Sequence, residues 1–260
     1  MEIPVYQVDA FTSVPFRGNP AAICPLDEWI DDNLLQRVAA ENNLSETAYF
    51  VKTGNGYELR WFTPTTEVDL CGHATLASAH VLFSELGHRS PEIAFDTKSG
   101  RLVVKQADGR YEMDFPSRKA APIAAPTEVL QAVGVDAEEV LAFRNLVMIV
   151  TSEDQVRAAK PDFGLLKRQD IFAAMVTAKG SDCDFVSRFF APAQGIDEDP
   201  VTGAAHCTLT PYWAEKLGKT SLFARQVSNR GGEIWCEDRG ERVMLSGAAV
   251  TVLKGTIYTG

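Results

Sequence analysis

At 260 residues and 45% hydrophobic content, the chain is long enough to bury a substantial core, and length alone permits one large domain or two small ones. Acidic residues outnumber basic ones 35 to 25, and no stretch gathers Lys and Arg into a stripe able to neutralise a phosphate backbone, which argues against nucleic acid as a partner. The start, MEIPVYQVDAF, lacks the basic-then-apolar order of a secretory signal, and no apolar run approaches the ~18 residues of a membrane helix. A cytoplasmic protein without a membrane partner is expected.

In chain order, residues 3–9 (IPVYQVD) predict a strand, and FTSVPFRGNPAA after it has the Gly, Pro and Asn content of an ordered loop. DDNLLQRVAAENN predicts a helix beginning near Asp32. Leu34, Leu35, Val38 and Ala39 share one face, acids stand at the front, and Asn42 or Asn43 is available as a left-handed cap. ETAYFVK and YELRWFT form a hairpin about Gly54, Asn55 and Gly56. Residues 74–86 (ATLASAHVLFSEL) are apolar around nearly the whole circumference and predict a buried central helix.

IAFDT, RLVVKQ and YEMDF alternate as strands, with turns at Ser99 and Gly100 and at Asp108 and Gly109. SRKAAPIAAP has no periodicity and is the best linker candidate. It divides the chain into residues 1–117 and 118–251, with a last strand near 252–260 returning to the first domain. A short helix (TEVLQAVG), further strands, a second central helix near 204–217 and the terminal strands ERVMLSG and AVTVLKGTIY repeat the order of the first half.

The five cysteines are scattered without a C-x-x-C pair, so reduced thiols are expected. The four histidines form no HExxH or Cys/His finger spacing, and no metal is expected.

An internal repeat appears when residues 60–71 (RWFTPTTEVDLC) are set beside 188–199 (RFFAPAQGIDED). A constant offset matches Arg60 with Arg188, Phe62 with Phe190, Pro64 with Pro192, Asp69 with Asp197 and Cys71 with Asp199. Beyond that point the second half carries three extra residues, and Gly72 matches Gly203. Two copies of a strand-loop-helix unit tend to pack about a pseudo-twofold axis, which predicts a cleft where both loops meet. Gly72, His73, Ala74 and Thr75 open one helix; Thr202, Gly203, Ala204 and Ala205 open the other. Small residues at a helix start leave backbone N–H groups open to an anion, so a small carboxylate-bearing substrate is expected.

Taken in order, VDAFTSVPFRGNPAA, NLSETAYF, FTPTTEVDLCGHATLA and GIDEDPVTGAA resemble the phenazine-biosynthesis-like (PhzF-type) isomerase family over nearly the whole chain. The resemblance implies the α+β fold of diaminopimelate epimerase, in which two pseudo-symmetric domains each wrap a β-barrel-like sheet around a central helix. It implies an isomerase that needs no cofactor and is commonly a homodimer. Glu46 becomes the catalytic acid/base, His73 and Asp199 its helpers or substrate orienters, and Asn19, Gly72 and Gly203 pocket residues, with Thr202 and Ala204 beside them. Where the phenazine enzymes carry a substrate-binding serine, this chain has Ala204, a departure that bears on whether it shares their substrate.

Read as residues alone, Glu46 begins an alternating strand beside Ala48 and Phe50, a poorly solvated place for a group that must take and return a proton. Two rival readings remain. Cys71, at a helix start, could work with Asp199 as an amino-acid racemase or epimerase; or the fold could serve as a non-catalytic binding protein.

Overall fold

The computed structural model describes residues 1–260. In chain order the first stretch runs β1 (Glu2–Ala10), β2 (Asn19–Leu26), α1 (Asp32–Asn42), β3 (Glu46–Thr53), β4 (Gly56–Phe62), β5 (Glu67–Val68), α2 (Gly72–His80), β6 (Glu92–Thr97), β7 (Gly100–Ala107) and β8 (Arg110–Pro116). The second runs β9 (Ala121–Pro122), α3 (Thr127–Val133), β10 (Glu139–Ala142), β11 (Leu146–Ile149), α4 (Glu153–Ala158), α5 (Phe163–Leu166), β12 (Ala174–Lys179), β13 (Phe185–Ala191), β14 (Ile196–Asp199) and α6 (Gly203–Leu217). It closes with β15 (Ser221–Gln226), β16 (Gly232–Asp238), β17 (Arg242–Gly247) and β18 (Ala249–Tyr258). These elements form two units, Met1–Asp114 with Ser246–Gly260, and Phe115–Leu245. The chain therefore crosses at 114/115 and 245/246, where the sequence pointed to 117/118 and 251/252.

The two units are built to one plan. In the first, β1 and β2 are antiparallel, β2 runs parallel to β3, β3 and β4 form the hairpin, and β4 runs parallel to β6, which pairs with β7. In the second, β10 and β11 are antiparallel, β11 runs parallel to β12, β12 pairs with β13, and β13 runs parallel to β15, which pairs with β16. Each unit also carries one strand from outside this order, β18 on β1 and β9 on β10. The sheet of each unit packs against its own helix, α2 on β1, β2 and β3, and α6 on β15 and β16.

Local chemistry explains several helix boundaries. Asp31 caps α1 by accepting from the N–H groups of Asn33 and Leu34, and Asn43 closes it in the left-handed region. Gly134 and Gly218 close α3 and α6 the same way. From His73 to His80 every residue of α2 is buried, as its all-round apolar sequence predicts, and it runs on as a π-helical turn over Val81–Glu85. Leu86, the last residue of that predicted helix, is exposed.

Two expectations are corrected. Residues 19–22, read as loop from their Asn and Pro, open strand β2. Gly18, at φ +64°, turns the chain, and β2 then lies between β1 and β3, where Ala21, Ala22, Ile23 and Cys24 are all buried. Likewise β3 is buried on both sides from Thr47 to Val51, so its alternation marks no solvent face. The short helices α4 and α5 lack enough turns to show a period and went unpredicted.

The repeat also shifts. In the first unit Phe62 pairs with Glu67 and Trp61 with Val68; in the second Phe190 pairs with Glu198 and Phe189 with Asp199. The three extra residues therefore sit in the hairpin turn at Pro192–Gln194 and Gly195, ahead of Glu198, not after Asp199. Asp199 corresponds to Val68, and Cys71 corresponds to Thr202, each the residue before a central helix. By the hairpin register that sets Thr47 opposite Phe62 and Ala174 opposite Phe190, Glu46 corresponds to Ala173.

Candidate active site

In the first unit, three elements converge on one imidazole. Glu46 is the first residue of β3, Asn19 the first of β2, and His73 lies in the first turn of α2, just after Cys71. Because β2 and β3 run parallel, with Ala21 opposite Glu46, both strand starts lie at the same end of the sheet. His73 Nε2 stands 3.1 Å from Glu46 Oε2. The two form an ion pair, although neither atom is aligned for a hydrogen bond. On the other side of the ring, Nδ1 is 3.3 Å from Asn19 Nδ2 and 3.5 Å from Cys71 Sγ.

Burial sets the electrostatics. Asn19 is fully buried, and His73 and Cys71 are each 6% exposed, while the Glu46 side chain keeps 14% exposure and so remains approachable. Burial pulls the His73 pKa down, but the neighbouring Cys71 and Glu46 outweigh it and hold the imidazole well above its ordinary range. The Cys71 thiol goes up, first from burial and then from the Glu46 charge. Burial thus keeps the thiol neutral. In its neutral form His73 accepts from Asn19 Nδ2 at Nδ1; charged, it must donate there, and Cys71 Sγ or a rotated Asn19 amide receives that proton.

No side chain caps α2, and the N–H groups of its first turn precede the first intrahelical bond, Thr75 N–H to Cys71 C=O at 3.1 Å. Gly72, only partly buried, leaves this end open.

The second unit places its predicted residues in a different arrangement. Asp199 ends β14 and its Oδ2 accepts from the Thr202 hydroxyl at 2.5 Å. Gln226, 1% exposed at the end of β15, accepts the Thr202 N–H at 2.8 Å and donates to the Asp199 carbonyl at 2.7 Å. Sequence reasoning missed Gln226; nothing in the QVSNR segment marks it, because its partners lie across the fold. Thr202 and Gly203 are buried and Ala204 is exposed at the start of α6. One turn on, His206 is fully buried, its Nδ1 donating to the Thr202 carbonyl at 2.8 Å, and desolvation pushes its pKa down to about 4.

Linear spacing offered no metal motif, yet the fold brings Glu46, Cys71 and His73 together with one ligand atom from each inside a 4.8 Å span. No helix is long and apolar enough to cross a membrane.

The model of the phenazine biosynthesis-like protein family matches residues 8–255. This chain belongs to that family. An uncharacterized isomerase of Pseudomonas aeruginosa is 50% identical over 258 residues, covering 99% of this chain and 100% of the relative. The crystal structure of a PhzF-family protein from Enterococcus faecalis superimposes with a TM-score of 0.97 at 44% identity, covering all of both chains. A hydroxyproline epimerase of Agrobacterium vitis, solved with trans-4-hydroxy-L-proline, shares the fold alone, at a TM-score of 0.61 and 12% identity over 98% of this chain and 92% of that one. The α+β architecture of two like units, each a sheet around a central helix, is thus the one this PhzF family shares with the epimerases.

Proposed function

We propose that this PhzF-family protein is a cofactor-independent isomerase in which Glu46 takes a proton from one carbon of a small carboxylate-bearing substrate and returns it to another. The observation that carries the reading is the Glu46–His73 pair, 3.1 Å apart at the sparingly exposed start of β3. A general base must be held in one orientation and partly shielded from water; His73 holds one carboxylate oxygen while the rest of the side chain stays reachable. The net change is a proton moved within one molecule, so no electron acceptor is consumed. Charge that develops on the substrate meets the uncapped N–H groups of α2 and the His73 imidazolium.

The second unit has Ala173, Thr202 and Ala204 where the first has Glu46, Cys71 and His73. This asymmetry favours one proton-carrying carboxylate over a mechanism needing matched groups from both units. It also removes the alignment that joined Cys71 to Asp199 as an epimerase pair. Asp199, Thr202, Gly203 and Ala204 of the second unit, and Asn19 and Gly72 of the first, are proposed as substrate-binding residues.

The test begins with a thermal-shift screen of small carboxylates to find a ligand, followed by turnover in deuterated solvent. Glu46→Gln should bind the ligand and lose turnover. A Glu46→Gln variant as active as the parent would refute the reading, and a protein that no carboxylate stabilises would return the binding-protein alternative.

A further inference from the structure

The donor set around His73 has a second chemistry. Carboxylate oxygen, thiol sulfur and imidazole nitrogen together form the borderline-soft combination that selects zinc, with three protein ligands and a fourth position open to water or substrate. Glu46, Cys71 and His73 supply one of each within a 4.8 Å span. Tetrahedral zinc, at roughly 2.0–2.3 Å from its ligands, sets neighbouring donor atoms about 3.3–3.5 Å apart. As the ring stands, Glu46 Oε2 faces Nε2 at 3.1 Å and Cys71 Sγ faces Nδ1 at 3.5 Å, so a single ion needs the ring to turn. A rocking of the imidazole that turns one nitrogen toward both partners closes the set.

Two independent observations point to a ligand here rather than to packing. Glu46 Oε2 and His73 Nε2 are both buried and face each other at 3.1 Å, with no aligned hydrogen bond to either. Burying polar atoms in that state costs free energy, which a cation placed between them would recover. Asn19 then falls where an outer-shell orienter belongs. Its side chain is 3.3 Å from His73 Nδ1, and half a turn of its amide presents Oδ1 to an Nδ1–H, freeing Nε2 to bind the ion.

The geometry points to an inhibitory zinc site made of Glu46, Cys71 and His73, in which the ion displaces one proton from the His73 imidazolium and one from the Cys71 thiol to solvent and occupies the carboxylate oxygen that the imidazole otherwise holds. Its inhibitory half rests on the Glu46 reading above; its binding half does not.

Metal binding is therefore read without turnover. Cobalt(II) titrated into the reduced, metal-free protein should give one adduct per chain with a thiolate-to-cobalt charge-transfer band, and zinc should displace it. Cys71→Ser should abolish the band and weaken zinc by about 100-fold or more, and Asn19→Ala should weaken it about 10–100-fold. If Cys71→Ser does not fold, His73→Gln and Glu46→Gln carry the same prediction for affinity. No cobalt adduct, or one that persists unchanged in these variants, overturns the site. In the turnover assay, zinc should stop the parent enzyme and a chelator restore it; loaded protein that still turns over overturns the inhibition. A protein that binds zinc while Glu46→Gln stays fully active would refute the isomerase reading and leave the metal site standing.

Discussion

Cys71 and Thr202 occupy the same place in the two halves of the repeat: each is the extended residue before a central helix, and neither side chain caps that helix. Cys71 thus has a hydroxyl, not a second thiol or a carboxylate, as its counterpart, and burial keeps it a neutral thiol. Cys71→Ser is expected to keep turnover within about tenfold, whereas Glu46→Gln loses roughly 10²–10⁴-fold or more. Steady-state rates on the substrate found by ligand screening decide between them. A dead Cys71→Ser variant with native stability would bring the thiol back into the chemistry.

His73 gives the protein an alkaline signature. Its pKa is raised well above the usual ~6.5, so between that value and the raised one the folded protein holds a proton that the unfolded chain releases. The resulting stabilisation is complete below the ordinary histidine range and disappears as pH rises through the raised pKa. His73→Gln should flatten this loss, as read from denaturant midpoints across neutral to alkaline pH. An NMR titration showing His73 already neutral at pH 7 would contradict the assignment.

His206 works in the opposite direction. Its folded pKa of about 4 lies below the ordinary histidine value of 6.5, so the unfolded chain binds the extra proton in that window and stability falls as pH drops from 6.5 toward 4. For this fully buried ring the loss amounts to roughly 3 kcal/mol at the bottom of the window. His80, also lowered by burial, adds to the same acid limb from the first unit. His206→Gln should make the acid limb shallower in urea unfolding. An unchanged slope would mean that the ring is hydrated.

How much of this was legible beforehand depended on sequence distance. Caps such as Asn43 and Gly134 are local, and both helix ends could be read from composition. Arg60 with Phe62 and Arg188 with Phe190 exposed the repeat, but the three-residue insertion could be placed only by the strand register, since Gly, Pro and Ala around residues 192–195 align equally well in several ways. Strand β2 hid behind Pro20 and Pro25 because burial between two neighbours overrode its loop-like composition. At the site, Glu46 and His73 were legible through a family pattern. Their contact with each other and with Asn19 was not, for it depends on two parallel strand starts meeting a helix start.

Gly18 holds Asn19 in place. Its φ is +64°, and a Cβ there would lie 2.1 Å from the Ala10 carbonyl oxygen, a backbone atom that cannot step aside. Gly18→Ala should therefore destabilise the first unit by on the order of 3 kcal/mol and displace Asn19 from His73. Thermal unfolding reads the first effect, and a shift in the His73 titration reads the second. A variant with parental midpoint and titration would show that the loop adapts.

The repeat conserves a clamp as well as a chain path. Arg60 meets Glu67 through Nε at 2.8 Å and Nη2 at 3.0 Å, and Arg188 meets Glu198 through the same two atoms at 2.7 and 2.9 Å. Each guanidinium also lies over the phenylalanine two residues on, 5.1 Å from Phe62 and 4.9 Å from Phe190. Lysine keeps the charge but can neither form the planar two-point contact nor stack, so Arg60→Lys and Arg188→Lys should each cost about 1–3 kcal/mol. The second should cost more. Arg188 Nη1 also donates to the carbonyl of Ala159 at 2.8 Å, at the end of α4, and Ala159 is only 5% exposed, so its oxygen would be left buried without that donor. Arg60 Nη1 instead reaches the well-exposed Asp32, which water can satisfy. Chemical denaturation of the two variants tests the order, and equal losses would show that the Ala159 contact contributes nothing.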